Sequence, residues 1–221
     1  MEKLVISDIP EMFDHVGQVF AERKDELCAM DAVMGDGDLG LTMSKGYGVL
    51  PGFMRDLESE GDIGRMMFKA AMKMQNTVPS TMGTLMSSGI AEAGKAFKGK
   101  TELVPADMVT YVIQFAAGIK KRGKCELGDR TILDSINAGA VKAVDYLSAN
   151  PEASFSDVMA AATRGAEEGC EATRDMLPKY GKAVVHAAKA KGIVDQGALA
   201  GKYMLEGIES YFACQDQTAG L

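Results

Sequence analysis

The sequence lacks several features that would assign it to a familiar functional class. No apolar run is long enough to cross a bilayer, and the first residues lack the apolar core of a secretory signal. Acidic residues outnumber basic ones by 31 to 24, which gives a net charge of −7 and disfavours nucleic acid and anionic membranes as partners. We therefore expect a cytoplasmic protein that binds neither nucleic acid nor membrane.

Catalytic chemistry based on histidine or cysteine is also poorly supported. The chain has only two histidines, and we expect His15 to be structural and His186 to be solvated. The four cysteines are scattered, with no CxxC pair and no metal-ligand spacing, which favours reduced structural thiols. A Walker A motif is absent as well, so any nucleotide must bind by another route.

The pattern that is present is helical nearly throughout. The 221 residues are 47% hydrophobic, which favours one domain over residues 1–221, and sixteen methionines without a tryptophan predict an adaptable, methionine-filled core. Apolar residues recur at helical spacing in eight stripes, and no convincing strand alternation appears. Because the connections are mostly short, we predict an all-α barrel or bundle of about eight antiparallel helices.

Three helix boundaries can be predicted from capping signals. The first helix is expected to begin at Asp8 and to continue past Leu27. Asp129 is a candidate cap for the sixth helix, and the last helix is expected to begin near Gly197.

The most informative stretch places Asp31, Asp36 and Asp38 within eight positions, interleaved with three glycines. Glycine lets the backbone turn sharply, so the three carboxylates can converge on one point. Converging carboxylates repel one another unless a cation lies between them, and an oxygen-only site suits Mg²⁺ or Ca²⁺. Since Mg²⁺ held by a few carboxylates normally also binds phosphates, the stretch predicts a nucleotide-phosphate site.

Three other interpretations of this stretch compete with the metal site. An EF-hand loop would need ligands where Gly40 and Tyr47 stand. The GxGxxG pattern of Gly35 to Gly40 matches a dinucleotide fingerprint, but that fingerprint needs a preceding strand where helix is predicted. The third alternative is a solvated acidic turn without a ligand.

Polar turns at predicted helix starts are candidate anion sites, because helix N-termini carry free N–H groups. They occur at Val78–Thr84, Gly123–Thr131 and Asp195–Ala198, and plain helix capping is the alternative in each. The long connection Leu177–Gln196 is basic in an acidic protein. We expect it, and Lys182 in particular, to lie near bound phosphates, with an ordinary surface loop as the alternative.

The ordered set of these motifs resembles the L subunit of dihydroxyacetone kinase. The matching elements are Asp31-x4-Asp36-x-Asp38-x-Gly40, the loop ending at Gly83, Arg122-Gly123-Lys124 with Gly128-Asp129-Arg130-Thr131, and Asp195-x-Gly197-Ala198. The resemblance implies a barrel of eight antiparallel helices in which Asp31, Asp36 and Asp38 bind two Mg²⁺ ions that hold the phosphates of ADP or ATP.

The resemblance further implies a kinase subunit that passes a phosphoryl group to a small ketose or polyol. In the family that sugar is held by a separate K-type subunit, so this chain alone should not phosphorylate it. A phosphotransferase-type donor subunit that rephosphorylates bound ADP, free exchange of ATP, and a homodimer are all compatible with the sequence. The residues expected to contact the nucleotide are Leu39, Thr42, Ser80, Thr81, Met82, Gly83, Gly128, Thr131, Lys182, Asp195 and Gly197.

Two departures from the family pattern keep other functions open. The family's Gly-Gly-x-Ser-Gly loop is here residues 79–83, Pro-Ser-Thr-Met-Gly, and Leu39 stands where the family often has His or Cys. A non-catalytic nucleotide sensor or regulatory paralogue is one alternative. A helical interaction module with an acidic, metal-binding turn is the other.

Overall fold

The computed structural model describes residues 2–219, apart from the side chains of residues 186–188 and 219. Within that part, the helices and strands of the chain are β1 (Leu4–Val5), α1 (Asp8–Glu22), α2 (Lys24–Met34), α3 (Leu39–Arg55), α4 (Ile63–Thr77), α5 (Thr81–Ala96), β2 (Glu102–Leu103), α6 (Pro105–Gly123), α7 (Ile132–Ala149), α8 (Phe155–Ala172), α9 (Ala187–Ala190) and α10 (Gln196–Ala219). Short 3-10 turns cover Glu58–Glu60, Thr173–Asp175 and Lys182–His186.

Eight of these helices form a closed ring. Going around it, α1 packs on α3, then α4, α5, α6, α7, α8 and α10 follow in order, and α10 returns to α1. Each pair shares an apolar face because each helix is amphipathic and has no other way to bury that face. The predicted all-α barrel is therefore confirmed.

The core of the barrel is one large apolar cluster. At its centre Tyr47 stacks on Phe20 with ring centroids 4.8 Å apart, and Tyr111 lies 5.7 Å from Phe115. Eleven methionines of the described residues are buried, so the core is methionine-rich as the composition predicted. Within the described residues no helix combines the length and the apolar character that a bilayer crossing needs.

Three local expectations were wrong. The first helix does not run unbroken past Leu27: it ends at Glu22, and α2 starts anew after Arg23. The sixth barrel helix, α7, is capped by Thr131 instead of Asp129. Two strands of two residues each, β1 and β2, pair where no strand was predicted.

The break at Arg23 matters for the site. It directs α2 out of the ring, and α2 packs against the outside of the barrel on α3 and α10. The last turn of α2 thereby carries Asp31 to the end of the barrel where α3 and α10 begin.

Candidate functional site

A cavity of about 500 Å³ opens at the end of the barrel where four helices begin. Its wall includes Leu39 at the start of α3, Ser80 before α5, Thr131 before α7 and Gln196 at the start of α10. The first turns of a helix have N–H groups without intrahelical partners and a partial positive charge. The cavity is therefore built to attract an anion.

The acidic cluster lies at the rim of this cavity. Carboxylate oxygens of Asp31, Asp36 and Asp38 come within 4.8 Å of one another. Asp31 is buried, and its Oδ2 accepts the backbone N–H groups of Gly37, at 2.9 Å, and Asp38, at 3.2 Å. Gly37 has a φ of +77°, a conformation that glycine adopts readily, so the loop can fold back over the Asp31 carboxylate.

The charges in the cluster oppose one another. Burial, and then the negative charges of Asp36 and Asp31, raise the pKa of Asp38 above its usual value. The pKa of Asp36 is lowered, chiefly because Lys182 donates a hydrogen bond to its Oδ2 at 2.7 Å. Carboxylates held together against their repulsion are the arrangement that a bound cation stabilises.

The residues present fit a hard divalent cation. The donor set consists of carboxylate oxygens, which Mg²⁺ and Ca²⁺ prefer, and offers no sulfur or imidazole for zinc. Gln196 supports the cluster by donating its Nε2 to Asp31 Oδ1 at 3.3 Å. Its Oε1 is buried without a hydrogen-bond partner among the described residues, so it is free to accept one from a ligand or its water.

Three predicted polar residues serve as helix caps and also line the cavity. Ser80 Oγ accepts the N–H of Gly83 at 3.0 Å, and Thr131 Oγ1 accepts the N–H of Leu133 at 3.2 Å. Asp195 Oδ2 accepts the N–H of Ala198 at 2.8 Å. A hydroxyl that accepts a hydrogen bond can still donate one, so Ser80 and Thr131 keep donors for an anion.

The structure brings most of the predicted contact residues to the cavity. Those in its wall are Leu39, Thr42, Ser80, Thr81, Met82, Thr131, Lys182, Asp195 and Gly197. Gly83 lies behind the wall, with its N–H in the Ser80 cap. Gly128 also lies outside it, with a φ of +85° and an N–H that donates to Asp134 Oδ1 at 2.6 Å. Contact between any of these residues and a nucleotide stays a prediction.

Arg130 is a cavity residue that the sequence reasoning quoted only as part of a motif. Its side chain is fully buried, and its Nη2 donates to the carbonyl oxygens of Ile193, at 2.9 Å, and Ala190, at 3.3 Å. Its Nε donates to Thr173 O at 3.2 Å, and its Nη1 lies 3.8 Å from Asp195 Oδ1. Burial raises the pKa of Asp195 to about 6, against the opposing effects of the Ala198 N–H and the Arg130 charge.

Gln196 and Tyr180 are further cavity residues that were not predicted. Gln196 follows Asp195 in a motif already noted, so its position at a predicted helix start could have identified it as a cavity residue. Tyr180 donates its hydroxyl hydrogen to Lys124 O at 2.8 Å, a contact between distant segments that no local pattern announces.

The two rival motifs for the aspartate stretch are excluded by its surroundings. Helix α2, and not a strand, precedes Gly35, so the dinucleotide fingerprint has the wrong context. Gly40 packs against the backbone of Lys24, and Tyr47 is buried within α3, so no EF-hand loop forms. Of the two histidines, His15 lies 3.1 Å from Ser210 Oγ through its Nδ1, and the side chain of His186 is outside the described residues.

A helical barrel whose helix N-termini and clustered carboxylates face one cavity defines a class: an all-α protein with a site suited to a metal-bound phosphate. Comparison with known proteins identifies the family within that class. Residues 33–210 match the DAK2 domain, and the chain belongs to this family. The family predicted from the motifs is confirmed.

This chain covers nearly all of one relative but only a third of another. It is 29% identical over 204 residues to the PEP-dependent dihydroxyacetone kinase 2, ADP-binding subunit DhaL, of Listeria innocua, covering 90% of this chain and 92% of that protein. It is 28% identical to the triokinase/FMN cyclase of Rattus norvegicus over 86% of this chain, but spans only 32% of that protein.

Solved structures confirm the fold. The crystal structure of the dihydroxyacetone kinase of C. freundii matches 91% of this chain and 34% of that chain, with a TM-score of 0.68 and 21% identity. The same kinase in complex with AMP-PNP and Mg²⁺ matches with a TM-score of 0.64.

Proposed function

We propose that this chain is the ADP- or ATP-binding, Mg²⁺-dependent subunit of a dihydroxyacetone-type kinase that acts on a small ketose or polyol. The observation that carries the proposal is the meeting of the Asp31–Asp36–Asp38 cluster with four helix N-termini in one cavity. The relative that this chain covers almost completely is named an ADP-binding subunit of such a kinase, which supports the same assignment.

Each part of the cavity has a distinct proposed task. Asp31, Asp36 and Asp38 hold the metal, in two ions by the family resemblance, and bound Mg²⁺ neutralises phosphate charge and orients the phosphoryl group. The N–H groups at the helix starts, with the hydroxyls of Ser80 and Thr131, donate hydrogen bonds to phosphate oxygens. Leu39, Met82 and Gly197 line the cavity and exclude water from it.

We infer that the sugar is held by a separate K-type subunit, since the relative of similar length is named a subunit of the kinase. The same name supports a phosphoenolpyruvate-driven donor subunit over free ATP exchange. A cytoplasmic location is supported by four free cysteines, which persist in reducing compartments, and by the proposed use of ADP. One large apolar core supports a single domain over residues 1–221.

The metal site is tested by Asp38→Ala, with Asp25→Ala as the matched control. Asp38 is a rim carboxylate of the cluster, whereas Asp25 is an almost fully exposed carboxylate on α2 that, among the described residues, pairs with Lys24 alone. Loss of one charged contact costs about tenfold or more in affinity, so calorimetric titration should show much weaker Mg-ADP binding for Asp38→Ala and no change for Asp25→Ala. Equal affinity in the two variants would remove the central claim.

A transfer assay separates the kinase from its alternatives. With a K-type subunit and a ketose present, a kinase subunit transfers the phosphoryl group, whereas a nucleotide sensor binds Mg-ADP and transfers nothing. A helical interaction module gains no thermal stability from Mg-ADP at all.

A further inference from the structure

Lys182 reaches the acidic cluster from the long segment between α8 and α10. Its Nζ lies 2.7 Å from Asp36 Oδ2, and this hydrogen bond raises the pKa of Lys182 while it lowers that of Asp36. Within the described residues no other side-chain cation lies within 4 Å of a carboxylate of the cluster. One ligand of the proposed metal site is therefore already bonded to a positive charge of the chain itself.

A divalent ion at the cluster competes with that ammonium group for the same carboxylate. We propose that Lys182 is a tethered cation that weakens metal binding when no nucleotide is present. When metal and nucleotide bind together, its ammonium group moves from Asp36 to the phosphates. This inference rests on the proposed function of the site. It makes metal and nucleotide binding cooperative, because the phosphates provide the new partner that Lys182 needs in order to release Asp36.

The segment around Lys182 is held in a way that permits this exchange. On one side, Lys179 pairs with Asp129 at 2.5 Å, and Tyr180 donates to Lys124 O. On the other side, Ala183 is buried in a small cluster with Met34 and Ala190. Because both flanks are held by neighbouring residues and the Lys182 side chain is more than half exposed, the ammonium can move by side-chain rotation alone.

Lys182 also borders the part of the cavity in which a phosphate would bind. Lys182, Ser80 and Thr131 line the same cavity, so a phosphate bound at the helix N-termini lies in the space that Lys182 borders. An ammonium is a strong point-charge partner for phosphate. The charge of Lys182 thus opposes the bare metal and favours the metal–nucleotide complex.

The test compares Lys182→Met with Lys191→Met, both measured with Mn²⁺ as a paramagnetic substitute for Mg²⁺. Methionine keeps much of the apolar stem and removes the charge. The control, Lys191, is an exposed lysine of the same segment that forms none of the ion pairs of the segment or the cluster in the described part of the chain. Free Mn²⁺ is followed by electron paramagnetic resonance without nucleotide, and ADP binding at saturating Mn²⁺ is followed by calorimetry.

We expect opposite effects in the two measurements. Without nucleotide, Lys182→Met should bind Mn²⁺ about threefold more tightly, since one exposed competing ion pair is gone. With metal saturating, it should bind ADP about tenfold more weakly, since a charged contact to phosphate is lost. Lys191→Met should match the unaltered protein in both measurements.

The outcomes separate this inference from the proposed function. Mn²⁺ binding by Lys182→Met that is no tighter than in the unaltered protein overturns the competition, whatever happens with ADP. Unchanged ADP affinity overturns the transfer of the ammonium to phosphate. If the unaltered protein binds Mn²⁺ but no ADP, the proposed function itself fails, and the Mn²⁺ arm still decides whether Lys182 and the metal compete.

Discussion

At the scale of single residues, Arg130 connects the cavity to the long segment that borders it. Its guanidinium donates to the carbonyl oxygens of Thr173, Ala190 and Ile193 and faces the buried carboxyl of Asp195. No other residue in the described part of the chain joins these segments through so many buried hydrogen bonds. The conformation of Arg130 is itself unusual for a residue with a side chain, with a φ of +62°.

Replacing Arg130 with methionine should therefore be strongly destabilising. Three carbonyl oxygens lose the guanidinium as a donor, although those of Thr173 and Ala190 keep a backbone N–H, and the buried Asp195 loses its cation. Because breaking a buried ion pair is costly, we expect the free energy of unfolding to fall by about 3–5 kcal/mol. Urea denaturation measures it.

Arg65→Met is the control. Arg65 is exposed and its Nε lies 3.7 Å from Asp62 Oδ2, and such an exposed ion pair contributes less than about 1 kcal/mol to stability. Similar small losses in both variants would show that the Arg130 contacts are dispensable.

The predictability of site residues follows from the range of their interactions. Asp31, Asp36 and Asp38 were predictable because a short, glycine-containing stretch brings them together locally. Arg130 was not, since its carbonyl partners lie 43 to 63 residues further along the chain. The prediction that Asp129 caps α7 was wrong for the same reason. Asp129 pairs with Lys179, which is distant in sequence, so no local pattern indicates this role.

At the scale of elements, amphipathic periodicity was sufficient to predict the barrel helices. The predicted apolar stripe from Ile63 to Met74, for example, lies in α4, and the stripe from Met82 to Phe97 follows α5 and its C-cap. The break between α1 and α2 at Arg23 has no glycine or proline beside it, so the sequence contains no local signal for it. It results from packing, because α1 lies in the ring and α2 on its outside. Helix existence is thus encoded locally, whereas the point at which a helix leaves the barrel is set by tertiary contacts.

The loop before α5 is one of the two places where this chain departs from the family pattern. Pro79 has no N–H to donate, and the Met82 side chain lines the cavity. Restoring the family pattern with Pro79→Gly, Ser80→Gly and Met82→Ser should add donors and open space, and should tighten ADP binding about tenfold by calorimetry.

Ser80→Gly alone is the control for that loop. It removes the hydroxyl that we propose as a phosphate donor and adds no other donor, so ADP binding should weaken about tenfold. Glycine at a helix N-cap costs only a few tenths of a kcal/mol, so this loss would not come from unfolding of α5. A restored loop that binds ADP no better, together with ADP that already copurifies with the unaltered protein, would contradict this account of the loop.

At the scale of the whole molecule, closure of the barrel places the start of every second wall helix at one end. Helices α3, α5, α7 and α10 all begin at the cavity, and this follows from an even ring of antiparallel neighbours. Periodicity predicted the number of helices in the ring but not the contact of α10 with α1, which closes that ring. The anion site is thus a consequence of the fold as a whole, although its caps are local.

The proposed K-type partner has to reach this cavity from outside the barrel. Direct phosphoryl transfer requires the sugar of a K-type subunit to approach the bound nucleotide, so the partner must dock at the cavity mouth. Leu127 and Leu177 are 56% and 72% exposed. Each lies two residues before a member of the Asp129–Lys179 ion pair, which joins their two segments. Tyr180, the residue after Lys179, lines the cavity. Exposed apolar side chains at such a place are typical of a protein interface.

Replacing both leucines with aspartate should weaken docking without touching the nucleotide. Each buried apolar anchor of an interface is worth about 1–2 kcal/mol, so we expect transfer to the ketose at limiting K-type subunit to fall at least tenfold, with Mg-ADP affinity unchanged. Val141→Asp is the control, because Val141 is 51% exposed on the outer wall of α7, more than two turns from the start of that helix at the cavity. If Val141→Asp lowers transfer and the leucine variant does not, the partner docks on the barrel wall, and direct transfer at the cavity mouth is excluded.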